Sequence, residues 1–180
     1  CLFDVAHVLK GGFEMGNIWY NEPKTLDVAF DVIGDIVLSA ASQQYGGFTV
    51  PSVDLILEPY AEKSYGRNLE KYRSLGVAEE KAKEVAWQDV VREMEQGFQG
   101  WEYKFNTVAS SRGDYPFITV TAGTGTGRFA RLATISMLNV RRKGEGKAGC
   151  KKPVLFPKIV FLYDENLHGP GKPLEDVFEA

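Results

Sequence analysis

Between Pro116 and Arg131 the sequence runs Pro-Phe-Ile-Thr-Val-Thr-Ala, then Gly-Thr-Gly-Thr-Gly, then Arg-Phe-Ala-Arg. Phe117, Ile118, Thr119, Val120 and Thr121 are aromatic or β-branched, which favours a buried strand. Gly123, Gly125 and Gly127 then allow positive φ angles and a close approach of the backbone to a neighbour or a ligand. Thr126 is placed to cap a helix that starts near Gly127. A strand that ends in a glycine loop and opens a helix is where open α/β sheets bind ligands, because free N–H groups and the positive helix end attract anions. Two readings stay open for this motif, a ligand loop and a tight turn without a ligand. The spacing matches neither the dinucleotide fingerprint nor a phosphate loop ending in Gly-Lys-Ser/Thr.

After the loop, Phe129, Leu132, Ala133, Ile135, Ser136, Met137 and Leu138 continue a helix to about Arg142, and Pro153 to Tyr163 forms a second apolar strand. Strand, helix and strand over roughly 45 residues predict a right-handed crossover with parallel strands. Upstream the chain is helical. Leu2 to Leu9 is a strand or short helix stopped by Gly11-Gly12, and Phe13 to Lys24 is an ordered loop. Thr25 caps a helix whose apolar face carries Leu26, Ala29, Phe30, Ile33, Ile36, Val37, Ala40 and Ala41, with Asp31 and Asp35 one turn apart on its polar side. So wide an apolar face is buried on most sides or meets another chain. Gly46 supplies a left-handed stop, Ser52 caps the next helix, and Pro59 kinks or ends it. A charged helix follows from Tyr60 to Leu75, closed by Gly76. A long helix from Ala78 to about Tyr103 then carries the stripe Ala82, Val85, Ala86, Val90, Met94, Phe98 and Trp101. Ser110 to Gly113 link it to the central strand, and the stretch after Tyr163 is a loop. The fold class is therefore α/β and helix-rich, with a parallel βαβ unit near the C-terminal end.

A chain of 180 residues is one domain or one piece of a larger one. A net charge of -3 argues against a protein held to nucleic acid by bulk charge. Arg141, Arg142, Lys143, Lys147, Lys151 and Lys152 form a local basic run that reads as a solvated loop, with a phosphate-binding patch as the alternative. Cys1, Cys150, His7 and His168 lack the clustered spacing of a zinc site, and no metal site is expected within these residues. Two cysteines do not make a disulfide framework, so a reducing cytoplasm is the expected compartment, and no leader peptide or membrane-spanning apolar run is evident. The opening Cys-Leu-Phe-Asp-Val-Ala has no initiator Met and the end is equally abrupt, so we expect a segment of a longer chain.

Several pieces in order resemble one family: Gly12-Phe13-x-Met15-Gly16-Asn17, Pro23-Lys24, Ala41-Ser42-x-Gln44-Tyr45-Gly46-Gly47, Glu102-Tyr103-x-x-Asn106-Thr107, Pro116-Phe117-Ile118-Thr119, Gly123-Thr124-Gly125-Thr126 and Phe156-Pro157-Lys158. The set is similar to the large chain of the anaerobic (class III, glycyl-radical) ribonucleoside-triphosphate reductases and covers nearly all of the sequence. The resemblance implies a segment of an α/β barrel of about ten strands around a finger loop. It implies reduction of ribonucleoside triphosphates by radical chemistry: a glycyl radical oxidises a finger-loop cysteine to a thiyl radical, the ribose 3′ hydrogen is removed, and formate supplies electrons. It further implies a structural zinc, ATP and deoxynucleoside triphosphate effectors, a homodimer, and a radical-SAM activating enzyme for the intact chain. No finger-loop cysteine, glycyl-radical segment or zinc cysteines appear in this sequence, so the segment alone is expected to be inactive.

By the same resemblance, Cys1 is either the reactive first-strand cysteine or its immediate neighbour. Effector-lining positions are Asn21, Lys24, Asp35 and Arg67, with the positive charges suited to a triphosphate and Asp35 standing where the family pattern has a neutral amide. Substrate-binding positions are Gln44, Tyr45, Gly46 and Gly47 together with Gly123, Thr124, Gly125 and Thr126, all expected at element ends facing the barrel mouth. A non-catalytic nucleotide-binding or regulatory module is the alternative function, and a packing domain with plain glycine turns is the third. Unpaired strand edges of a partial barrel lead us to expect association or aggregation of the isolated segment.

Overall fold

The structure, a computed structural model, describes residues 4–44, 46–108, 113 and 115–180. The chain starts with α1 (Val5–Leu9), capped by Asp4, whose carboxylate accepts the His7 N–H. The next stretch, expected as a loop, is a short antiparallel hairpin of β1 (Phe13–Met15) and β2 (Ile18–Tyr20), with Phe13 stacked on Tyr20. Gly16 at positive φ makes its turn.

Helix α2 (Leu26–Ser42) is expected from its period, yet its start is not capped as expected. Thr25 makes no side-chain bond to the helix, and the Leu26 N–H instead donates to Ser64 Oγ on a neighbouring helix at 2.8 Å. Its end is also different: the chain leaves at Gln43 in a right-handed conformation, and Gly46 does not take positive φ. Strand β3 (Phe48–Val50), missing from the sequence reading, follows. Helix α3 (Val53–Ser74) then runs unbroken through Pro59. Pro59 and Leu55, whose carbonyl loses its helical partner, both lie on the solvent side of the helix. Ser52 sits at φ 48° without capping; its own N–H donates to Thr121 Oγ1 at 2.8 Å. Gly76, at φ 75°, closes this helix as expected.

Helix α4 (Glu79–Thr107) ends four residues beyond the expected Tyr103. Strand β4 (Ile118–Ala122) and helix α5 (Arg128–Lys143) flank the glycine loop. Phe117, assigned to the buried strand from sequence, is 61% exposed and precedes it. The second apolar strand shrinks to β5 (Lys158–Phe161). Its lead-in is tied to side chains rather than to a sheet: Asn106 exchanges hydrogen bonds with the Phe156 backbone, and Arg141 donates to the carbonyls of Val154 and Pro157. The closing loop contains α6 (Glu165–His168) and α7 (Glu175–Glu179).

Strands β3, β4 and β5 form one parallel sheet with β4 in the middle, and β4–α5–β5 is the predicted parallel crossover. Helix α4 packs against α2, α3 and α5. Where α2 meets α4, Phe30 is ringed edge-on by Phe98 and Trp101, and the Trp101 Nε1–H donates to the Phe30 carbonyl at 2.8 Å. Gly97 makes this approach possible, since a Cβ there would lie 2.1 Å from the Phe30 ring. Among the described residues no helix is long and apolar enough to cross a membrane.

Candidate functional site

The glycine loop is crowded on both sides by the chain itself. Gly123 has φ +127°, and a Cβ on it would come within 3.0 Å of the Phe161 ring and 3.1 Å of the Leu162 carbonyl. A Cβ on Gly125 would sit 2.4 Å from the Ala130 Cβ, and one on Gly127 1.6 Å from a Glu58 oxygen. Gly123 and Gly125 are thus demanded by packing against β5 and α5, whereas at Gly127 the neighbour is the movable end of Glu58.

The neighbours that crowd the loop also bind it. Asp54, fully buried in the first turn of α3, accepts the N–H of Gly123 at 3.1 Å and of Gly125 at 2.9 Å through Oδ2. Its Oδ1 is buried with no hydrogen-bond partner among the described residues. Glu58 and Glu62 follow at one-turn intervals on the same helix face. Glu58 lies against Gly127, and Glu62 pairs with Arg128 at 2.9 Å. Arg128 also lies over the rings of Tyr65 and Phe129. From the opposite side, His168 Nε2 reaches the Gly123 carbonyl at 2.6 Å, inside an aromatic nest of Phe161, Tyr163 and Phe178. The Gly123 carbonyl can only accept, so the His168 Nε2–H is the donor to it, while Nδ1 lies 3.0 Å from both the N–H and the carbonyl of Asp164.

A carboxylate therefore already occupies the amides of Gly123 and Gly125, and these two cannot also hold a phosphate. Thr124 is half-buried and Thr126 exposed, so the loop's outer surface is carried by this pair. The expected Thr126 cap is not formed; Gly127 stands at the N-cap of α5 and no side chain caps it. Neither Asp54 nor His168 was singled out from sequence as a loop anchor. Asp54 was legible only as an acid in the first turn of a helix.

The other sequence-predicted substrate residues do not join this loop. Gln44, Gly46 and Gly47 are exposed and lead into β3, while Tyr45 lies outside the described residues. Because β3 and β4 are parallel with Phe48 opposite Ile118, Gly47 stands at the beginning of the sheet and Gly123 at its end. Roughly 15 Å of strand separates them, so the expectation of one shared mouth is corrected. Cys1 also lies outside the described residues.

The effector positions divide as well. Asn21 and Lys24 are exposed on the connection from β2 to α2. Between them Glu22 accepts from Lys63 of α3 at 2.8 Å and from the Gly11 N–H, contacts that hold its carboxyl below the ordinary range. Arg67, exposed, lies one turn beyond Lys63 on α3. Asp35 sits apart, on the side of α2 that faces α4, where it and Asp31 flank Lys104 at 3.5 and 3.7 Å. Asp31 and Lys104 border a cavity of about 470 Å³ between α2 and α4, with Asp27, Asp89 and Glu93 also in its wall.

The basic run is partly structural rather than a solvated loop. Arg141 donates to the buried carboxylate of Glu102 at 2.6 Å. Burial pushes the Glu102 carboxyl up; Arg141 opposes this, and Glu145 reinforces it. Cys150 is a free, exposed thiol. Among the described residues no group of three or more His, Cys, Asp or Glu side chains comes together to hold a metal, and both nitrogens of His168 are engaged. The zinc implied by the resemblance finds no fitting ligand set among the described residues.

A sequence model of the family "Anaerobic ribonucleoside-triphosphate reductase" matches residues 1–179. The reductase of that name from Enterobacteria phage T4 is 35% identical over 168 residues, 93% of this chain and 27% of that protein. Those of Escherichia coli K12 and Haemophilus influenzae are 33% and 35% identical over 177 residues, 98% of this chain and 24% of each protein. The chain thus spans about a quarter of the length of these relatives. Matched end to end at this identity, the chain belongs to the anaerobic ribonucleoside-triphosphate reductase family.

Proposed function

We propose that this chain works as part of a reductase that converts ribonucleoside triphosphates to deoxyribonucleotides without oxygen. The observation that carries this reading is the family match over residues 1–179. In the overall reaction the ribose 2′ hydroxyl leaves as water and hydrogen replaces it. Formate and one proton supply the two hydrogens and two electrons and end as carbon dioxide. A glycyl radical, installed by a radical-SAM activating enzyme, would supply the one-electron oxidation that starts the reaction. Cys1 or its neighbour would serve the reducing step.

Within this chain, the Gly123–Thr126 loop is the proposed substrate contact. Its backbone is held from behind, and Thr124 and Thr126 occupy its outer side, so a hydroxyl or phosphate oxygen meets threonine hydroxyls and a stiff turn. The connection carrying Asn21 and Lys24, with Arg67 of α3, is the proposed triphosphate contact for ATP and deoxynucleotide effectors at a homodimer interface. Lys24 and Arg67 provide the charge for it. The parallel three-stranded sheet ends on β5 in its strand order. A terminal strand of this kind supports continuation into a larger sheet, as in the ten-stranded barrel the resemblance implies.

The test is turnover by the full-length protein, activated anaerobically and supplied with a ribonucleoside triphosphate and formate. Deoxyribonucleotide and carbon dioxide formed in equal amounts are expected. Nucleotide binding without any deoxyribonucleotide would instead make this a nucleotide-binding module and overturn the reading.

A further inference from the structure

The polar atoms of the glycine loop are used in an unusual way. A Gly-rich turn opening a helix ordinarily leaves its amides free to hold an anion. Here the anion is part of the protein: the Asp54 carboxylate, 69 residues from Gly123 and 71 from Gly125 in sequence, takes both amides in a buried setting. On the other side of the same residue, His168 donates to the Gly123 carbonyl, and His168 is itself 2% exposed. One residue of the loop is therefore gripped at both its N–H and its C=O, by α3 from one side and α6 from the other. The side chains of Thr124 and Thr126 are not part of this grip.

We propose that Asp54 and His168 are positioning residues of the reductase, which together fix the Gly123–Thr126 turn in its substrate-receiving shape. The proposal rests on the reading of that loop as a substrate contact. A buried amide that loses its acceptor must find another or reorganise, so without Asp54 the peptide planes at 123 and 125 rotate. Without His168, Gly123 keeps its amide bond but loses the restraint on its carbonyl. Because the glycines have no side chains to resist, the loop then samples several conformations, and binding must select one of them. The cost falls on substrate capture. Effector binding, on the other side of α3, is unaffected.

The experiment compares full-length Asp54→Ala, Asp54→Asn and His168→Phe proteins with the unsubstituted enzyme. Phe retains the aromatic packing of His168 against Phe161, Tyr163 and Phe178 but cannot donate. Asn retains an acceptor for the two amides. The account expects Asp54→Ala and His168→Phe to raise KM for the ribonucleoside triphosphate about tenfold with effector affinity unchanged, and Asp54→Asn to recover most of that loss. Hydrogen exchange at the Gly123 and Gly125 amides is expected to rise in Asp54→Ala and stay slow in Asp54→Asn. If Asp54→Ala does not fold, His168→Phe carries the test alone. A KM within twofold of the unsubstituted enzyme in folded His168→Phe overturns the proposal. Exchange in the unsubstituted protein separates this failure from that of the parent reading: if nucleotide gives the 122–127 segment no protection, the loop is not a substrate contact at all.

Discussion

Asp54 and Asp35 are both acids on helices, and they do opposite things. Asp54 is fully buried, and its carboxylate organises a loop by accepting two backbone N–H groups. Asp35 is 45% exposed at its side chain and meets Lys104 at 3.5 Å. The first region, α3 with β4 and α5, is stiffened by polar bonds between distant parts of the chain. The second, α2 on α4, is held by apolar packing around Phe30 and Trp101, with Asp35 at its margin. A polar side chain shapes a site when its partners are buried backbone groups, and merely decorates a surface when its partner is another solvated charge.

The sharpest way to break this comparison is at Gly97, under the apolar contact. A methyl group there would overlap the Phe30 ring, so Gly97→Ala is expected to cost about 3 kcal/mol, read as a drop in the denaturant midpoint. Gly100, one turn later, has nothing within 4 Å of an added Cβ. Gly100→Ala should therefore leave stability equal or raise it by about 0.5–1 kcal/mol. Equal effects at the two sites would refute tight α2–α4 packing.

Trp101→Phe tests the buried hydrogen bond between α2 and α4. It keeps the aromatic packing but leaves the Phe30 carbonyl without the indole donor, for an expected loss of about 1–2 kcal/mol by thermal or denaturant unfolding. No loss would mean that the apolar contact alone holds the two helices.

Glu102 of α4, paired with Arg141 of α5, gives a pH test where the two regions meet. Its folded carboxyl is raised, chiefly by burial, so the protonated form is favoured in the fold. Its contribution is then fully present below the ordinary carboxylate range and declines as pH rises through the raised value. The stability of the unsubstituted protein minus that of Glu102→Gln should fall as pH increases across this window. A difference that grows with pH would mean that Arg141 outweighs burial. The smallest effect is expected at Asp35: Asp35→Asn breaks a solvated pair and should change stability by less than about 0.5 kcal/mol, an effect further reduced by salt.

The β4–loop–α5–β5 unit was legible because strand formers, glycines and a helical period follow one another without interruption. The hairpin was not: its strands span three residues each, and Ile18 and Trp19 are exposed, so no inward-outward alternation marks them. Strand β3 is as short and acquires its identity from pairing with β4, 70 residues away at Phe48 and Ile118. Thr25, Ser52 and Thr126 fit local capping patterns, yet the α2 terminus is served by Ser64 and none of the three caps a helix. The glycine spacing drew notice as an anion loop, while the anion that fills it arrives from α3. Local signals described the elements well. The contacts that decide which polar groups remain available for a ligand are long-range and had to be seen in the fold.

The most direct test of the central claim is the structure of the full-length protein with a ribonucleoside triphosphate bound. The account predicts the nucleotide against Thr124 and Thr126, with Asp54 still accepting from Gly123 and Gly125 and His168 still donating to Gly123. A nucleotide seated away from this loop, or one whose phosphate has displaced Asp54 from the two amides, would contradict it.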